Sequence, residues 1–363
     1  MPIEMQVSEQ TPMTDRCVGG VHFDDIVAAR RLLAKSLTPT PLVTHPLLSQ
    51  RLGAEMHVKL ENTVPLGAFK LRGGLHLLAS MTPEQRARGL VTATRGNHGQ
   101  SLACAAQRHG VRCAVFVPAG NNPDKNAAIS ALGATVSAVG EDFDAAWAAA
   151  LEYAGQTGMI AVHPSREPKL MAGYATVALE MLDQIAQPLD VLFIPVGGGS
   201  LAAGMGLVYN ALSPHTRLIG VQAAAAPALA RAWHTGELRE YPVGETLADG
   251  LAARVPAPDT VAILREVLDD IVEVSEAQLA DAIRCFAETL HQMAEGAGAA
   301  ALAGAMHMRR RIAGERVGIV LSGGNITSQQ LSRILHGELL PHAERNAVLA
   351  AQLADMEYGA RGA

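Results

Sequence analysis

The chain has 363 residues, 49% hydrophobic, 18% charged and only 4% aromatic, with a formal net charge of −6. It is long enough for two lobes. The mild negative charge, with no basic block, argues against nucleic-acid binding, and no run of roughly 18 apolar residues is present to cross a bilayer.

Residues 1–20 read as a polar tail without the apolar core of a signal peptide. From Val21 to Leu37 the spacing is helical. The following TPTPLVTHP (38–46) is proline-broken and extended. Short β-branched runs then alternate with alanine-rich helical stretches. VTAT (91–94) precedes a helix over 98–108, CAVFV (113–117) one over 123–132, and TVSAV (135–139) one over 143–155. VLFIPV (191–196) precedes a helix over 201–212, while RLIGVQ (217–222) and VGIVL (317–321) repeat the strand pattern. Continuous apolar strands alternating with helices predict an α/β protein whose parallel strands are covered on both faces. AAAAPALA (223–230) reads as a loop-to-helix junction. The four cysteines, Cys17, Cys104, Cys113 and Cys285, form no CxxC pair. They therefore read as buried small residues in a reducing, cytoplasmic compartment.

Four motifs carry chemistry. In ENTVPLGAFKLRGG (61–74), Lys70 sits among apolar and glycine neighbours. Burial would lower its pKa and make it a usable amine; the alternative is a surface lysine at a helix start. TRGNHGQS (94–101) follows a strand and opens a helix, where free amides and the helix dipole would receive a carboxylate. A plain turn using Gly96 and Asn97 is the other reading. In PVGGGSLAAG (195–204), the amides of Gly197, Gly198 and Gly199 can converge on an anion, with Ser200 adding a hydroxyl. No GK[ST] follows, so it is not a P-loop. In LSGGN (321–325), Ser322 is a neutral hydroxyl at a strand end, equally readable as a turn or cap residue. Three of the four motifs lie at strand C-termini, where open α/β sheets bind ligands.

The order and wording of these motifs resemble the fold-type II pyridoxal-phosphate family, specifically the threonine and serine dehydratases, over residues 20–335. KNAAISALGA, HPSREPKLMAGYATVALE, TLADG and AEGAGA add to the likeness. The resemblance implies two three-layer αβα lobes with the active site between them. The large cofactor-binding lobe would comprise 21–88 and 168–335, and the small substrate-carboxylate lobe 89–167. A C-terminal helical extension would occupy 336–363, too short for a regulatory domain. It implies pyridoxal 5'-phosphate joined to Lys70 as a Schiff base, with Phe69 packing beside the ring and Asn97 near the ring hydroxyl oxygen. Gly197, Gly198, Gly199, Ser200 and Leu201 would form the phosphate loop. Ser322 would partner the pyridine nitrogen, and Glu295 would lie near the ring. Thr94, Arg95, Gly96, His98 and Gly99 would form the substrate turn.

The implied activity is an ammonia-lyase on threonine, serine or a related β-hydroxy amino acid. A β-replacement synthase or racemase on the same fold is the nearest alternative, and a non-catalytic ligand-binding homologue a further one. A homodimer or homotetramer is implied. Arg95 departs from the family's usual serine or alanine, which argues against racemisation; it either has a role in substrate choice or points away and bonds the loop. Ala68 and Val64 replace more polar residues. Gln222 and a run of alanines stand where some members hold a divalent metal, so no metal site is expected.

Overall fold

The computed structural model describes residues 17–18 and 20–338. The expected N-terminal tail and C-terminal extension fall almost wholly outside the described residues. β1 (Cys17–Val18) and β2 (Val21–His22) form an antiparallel ribbon ahead of α1 (Phe23–Leu33). This helix is shorter than the expected 21–37. Val21–His22 is spent on the ribbon, and Pro39 and Pro41 forbid helix beyond. β3 (Leu42–Val43), α2 (Pro46–Leu52), β4 (Glu55–Leu60), α3 (Lys70–Ser80) and α4 (Pro83–Arg88) follow. Next come β5 (Leu90–Ala93), α5 (Asn97–His109), β6 (Cys113–Val117), α6 (Pro123–Ala131), β7 (Thr135–Ala138), α7 (Phe143–Thr157) and β8 (Ile160–Ala161). The chain continues through α8 (Pro168–Gln184), β9 (Val191–Pro195), α9 (Ser200–Leu212), β10 (Arg217–Ala223), α10 (Ala228–Thr235) and α11 (Pro258–Val267). It ends with β11 (Asp270–Val274), α12 (Glu276–Leu290), α13 (Gly296–His307), β12 (Arg316–Leu321) and α14 (Ser328–Leu335).

The strands form two principal sheets. The larger has the order β11-β10-β9-β12-β4-β3, parallel except for the β3 edge; the smaller, β7-β6-β5-β8, is parallel throughout. Alternation along the strands explains why each sheet is covered twice. On β9, Val191 and Phe193 join the core under α12 and α13, whereas Leu192 and Ile194 join the core shared with α8 and α9. On β5 and β6, Val91, Ala93, Ala114 and Phe116 face α7, while Leu90, Cys113 and Val115 face α5. Cys104, Cys113 and Cys285 are buried and unpaired. No helix among the described residues is long and apolar enough to cross a membrane.

A buried ionic cluster fixes the helix that begins with Lys70. Arg72 is 1% exposed and donates to both oxygens of Glu61 (2.7 and 2.8 Å) and of Glu180 (2.6 and 2.8 Å). Lys59 donates to Glu180 at 2.7 Å and to the Thr40 carbonyl at 2.8 Å. Burial opposes the charge on Arg72, but Glu61 and Glu180 outweigh it and hold the guanidinium charged.

Candidate active site

The four motifs meet at one cavity of about 290 Å³, where the C-terminal ends of β5, β8, β9 and β12 come together. Lys70 reaches it because the preceding segment is stitched to the strand-end turn after β12. Phe69 N–H donates to the Ser322 carbonyl (3.0 Å), Gly324 N–H to the Gly67 carbonyl (2.9 Å), and Asn325 Nδ2 to the Leu66 carbonyl (2.8 Å). Leu66 and Gly67 both adopt positive φ, 75° and 70°. Leucine rarely accepts this conformation, and Asn325 holds it there.

Lys70 is therefore half-buried as a residue, with its amine turned into the cavity, which rules out the alternative of a surface lysine. Its Nζ has only long contacts, 3.5 Å to the Pro164 carbonyl and 3.5 Å to Ser200 Oγ. Burial alone pulls its pKa down to about 7. A substantial fraction is thus neutral amine near neutral pH. The Nζ lies 5.0 Å from the Phe69 ring centroid and 4.7 Å from that of Tyr174.

Gly197, Gly198 and Gly199 run from the end of β9 into Ser200 and Leu201, the first residues of α9, and all five line the cavity. Each glycine is required by close approach. A Cβ at Gly197 would lie 2.6 Å from the Gly250 carbonyl oxygen, one at Gly198 would overlap the Ser165 hydroxyl, and one at Gly199 would lie 2.5 Å from Thr260. Bare amides at a helix start form an anion cradle.

Thr94, Arg95, Gly96, Asn97 and His98 also line the cavity. Thr94 Oγ1 accepts from the amides of Gly96 (2.9 Å) and Gly99 (3.2 Å), which leaves the Asn97 and His98 amides at the first turn of α5 for an incoming anion. Gly99 itself faces inward, where a Cβ would lie 2.6 Å from Thr94 Cγ2 and 2.9 Å from Ile129. The His98 ring lies beneath the turn, its Nε2 3.0 Å from Thr92 Oγ1, and burial holds it neutral. Arg95 Nε is buried without a hydrogen-bond partner.

On the opposite wall, Asn97 Nδ2 donates to Glu295 Oε1 at 2.5 Å, and Asn97 Oδ1 accepts from Asn325 at 2.8 Å. Glu295 is 3% exposed and its Oε2 has no hydrogen-bond partner. Burial pushes its pKa up to about 7. Ser322 Oγ makes only a long bond, 3.3 Å to the Ala297 carbonyl, and is free to turn.

Sequence reasoning assigned no role to several residues found here. Lys125 on α6 crosses the cavity to Asp249 (2.6 Å) and Glu295 (3.5 Å). His163 packs edge-on against Phe143 and Trp147, and its pKa falls to about 4 through burial. Lys125, His163 and Asp249 lie in the segments KNAAISALGA, HPSREP and TLADG. The segments stood out, but what faced each residue did not.

These groups fit an aldehyde cofactor with a dianionic tail. A buried amine without a counter-ion suits condensation with an aldehyde, and the glycine amides supply the anion cradle within reach of it. A model of the family described as "Pyridoxal-phosphate dependent enzyme" matches residues 20–323. An L-threonine ammonia-lyase of Geobacter sulfurreducens is 37% identical over 324 residues, 89% of this chain and 80% of the relative. An L-threo-3-hydroxyaspartate ammonia-lyase of Saccharomyces cerevisiae is 30% identical, covering 87% of this chain and 97% of the relative. Among solved structures, the processed form of threonine deaminase isoform 2 from Solanum lycopersicum superposes with a TM-score of 0.79 at 28% identity, over 91% of this chain and 99% of that one. Maize serine racemase gives 0.81 at 26%, over 88% and 98%. Because the family match runs through the lysine, both turns and the strand-end serine without interruption, the chain belongs to the pyridoxal-phosphate dependent enzymes.

Proposed function

We propose that this chain eliminates water from L-threonine, L-serine or a related β-hydroxy amino acid, and that water then hydrolyses the resulting imino acid, so that the net products are a 2-oxo acid and ammonia. The observation that carries the reading is Lys70: a buried amine held near neutrality and facing both anion-binding turns. The named relatives, threonine ammonia-lyases at 34–37% identity, support it.

Bound pyridoxal phosphate supplies an electron sink for the bonds at the amino acid's Cα. Lys70 Nζ would hold it, and the same nitrogen, when free, would be the base for the Cα proton. Its lowered pKa leaves the free nitrogen able to accept a proton near neutral pH. The glycine amides and Ser200 would hold the phosphate, with Phe69 and Leu201 at its border. The Asn97 and His98 amides, in the turn of Thr94, Arg95, Gly96 and Gly99, orient the substrate carboxylate. Asn97, backed by Glu295, keeps an N–H for the ring oxygen. Ser322 offers the ring nitrogen a neutral hydroxyl, which does not hold a proton there as a carboxylate would. That favours prompt loss of the β-hydroxyl over transamination. The Leu251–Ala253 wall and the Trp147–His163 pair exclude water from this space.

The lobes of this reading are 89–167 and 21–88 with 168–335, the first supplying the carboxylate turn. The buried thiols support a cytoplasmic setting, and the family resemblance a homodimer or homotetramer, testable by light scattering. The primary experiment is a 2-oxo acid assay against serine, threonine, 3-hydroxyaspartate and phenylserine. Release of 2-oxobutanoate from threonine is expected. Replacement or racemisation without keto acid would refute the reading.

Arg95 favours one refinement. Its Nε has no hydrogen-bond partner at the cavity wall, and nearby Asp144 is already paired with Arg254. We propose that it selects substrates bearing a second carboxylate. Arg95→Ala should then lower kcat/KM for 3-hydroxyaspartate at least tenfold relative to threonine, about 1.4 kcal/mol. An unchanged ratio across the panel would end the refinement.

A further inference from the structure

Tyr174 on α8 is fully buried, yet its hydroxyl has no hydrogen-bond partner in the structure. Burial pushes its ionisation up, so the phenol stays neutral. The ring, not the hydroxyl, is what the site uses. It meets the Phe69 ring edge-on, 4.9 Å between centroids at 72°. It enters this space because Gly73, one turn after Lys70, has no Cβ, and a methyl there would collide with the Tyr174 ring edge. The two rings form a slot whose open side faces Lys70 Nζ, at 4.7 and 5.0 Å.

The other groups facing that nitrogen offer no negative charge. Pro164 O and Ser200 Oγ stand at 3.5 Å. His98 and His163 are held neutral by burial and would repel an ammonium if protonated. Arg72, on the same helix, is tied to Glu61 and Glu180. Beside those two long oxygen contacts, the ring faces thus add compensation for a protonated Lys70 through their negative quadrupoles.

We propose that Tyr174 is a positioning residue for Lys70. With Phe69 it forms an aromatic slot that receives the lysine ammonium whenever the nitrogen is free and protonated. The slot raises the affinity of that nitrogen for a proton. The inference rests on the reading that Lys70 is the reacting amine, but its test does not require turnover.

The test is competitive acylation of the cofactor-free protein across a pH series, with modification at residue 70 quantified by peptide mass spectrometry. Lys169, partly exposed, serves as the internal reference. Tyr174→Met fills the volume without a ring; Tyr174→Phe keeps the ring and removes the orphan hydroxyl. Tyr174→Met should lower the apparent pKa of Lys70 by about one unit, the size of a desolvated cation–π contact. Tyr174→Phe should stay within about 0.3 unit of the unaltered protein. Phe69→Leu removes the other ring and should shift in the same direction, which keeps the test open if Tyr174→Met does not fold. An unshifted titration in folded Tyr174→Met and Phe69→Leu, or equal shifts in Tyr174→Met and Tyr174→Phe, would overturn the proposal. Borohydride trapping of the cofactor on a different lysine, with the shifts intact, would remove the catalytic reading and leave the slot.

Discussion

Replacing Gly198 by alanine isolates the anion cradle from the rest of the site. Gly198 does not have positive φ, so alanine suits the backbone and space is the obstacle. The added methyl would overlap the Ser165 hydroxyl and lie 2.7 Å from Ser165 Cβ. The hydroxyl can rotate away. The Cβ cannot move unless the backbone shifts, and that backbone carries the Pro164 carbonyl facing Lys70 and Ser200. Overpacking of this kind costs about 1–3 kcal/mol, so cofactor affinity should fall roughly 5- to 150-fold. Titrating cofactor-free protein with pyridoxal phosphate, followed through Trp147 at the cavity wall, measures it. Ser165→Gly removes both offending atoms, so the double variant should recover most of the loss, a coupling of about 1 kcal/mol or more. Gly197→Ala meets the Gly250 backbone oxygen instead and should not be rescued. If Gly198→Ala binds normally, or Ser165→Gly leaves its loss unchanged, the space argument for the glycine run is wrong.

Arg72→Met should lower the unfolding free energy by about 3–5 kcal/mol in urea titrations, because the carboxylates of Glu61 and Glu180 lose the bidentate donor that pairs them; a loss below about 1 kcal/mol would contradict this. Arg72 and Lys59 outweigh burial and lower the Glu180 pKa, so the stability it contributes is present above the ordinary carboxylate range. That stability disappears as pH falls through the lowered value, and the acid loss should shrink in Arg72→Met. Glu295 has the opposite sign. Its pKa rises from 4.5 to about 7 on folding, so the folded state binds the extra proton and stability falls as pH climbs through that window. Glu295→Gln should flatten the fall in cofactor-free protein and be the more stable variant above pH 7, as read from denaturation midpoints. An unchanged slope would show that Lys125 already holds Glu295 ionised.

The units built on β5, β6, β9 and β10 were legible because their strands are apolar on both faces, the pattern that burial between helix layers imposes; β7 was read although it is partly exposed, and β8 and α8 were not read as elements. β4 and β11 escaped notice because EMHVKL and DIVEV carry charges inside strands, and the buried Lys59 is answered by Glu180 on a helix more than a hundred residues away. The same limit applied at the site. Lys70, the glycine run and Ser322 were visible as motifs, since each needs a particular residue type, the last two at a strand end and Lys70 at a helix start. Lys125, His163 and Tyr174 act through what faces them. Tyr174 became interpretable only when Gly73 proved to be the gap that admits its ring.

The central claim is that a single buried amine is where the cofactor attaches. Borohydride reduction of the protein loaded with pyridoxal phosphate, followed by peptide mapping, tests this directly. A phosphopyridoxyl group should appear on Lys70 and vanish in Lys70→Ala together with keto-acid release. The group on Lys59, Lys125 or Lys169 instead, or keto-acid release surviving in Lys70→Ala, would contradict it.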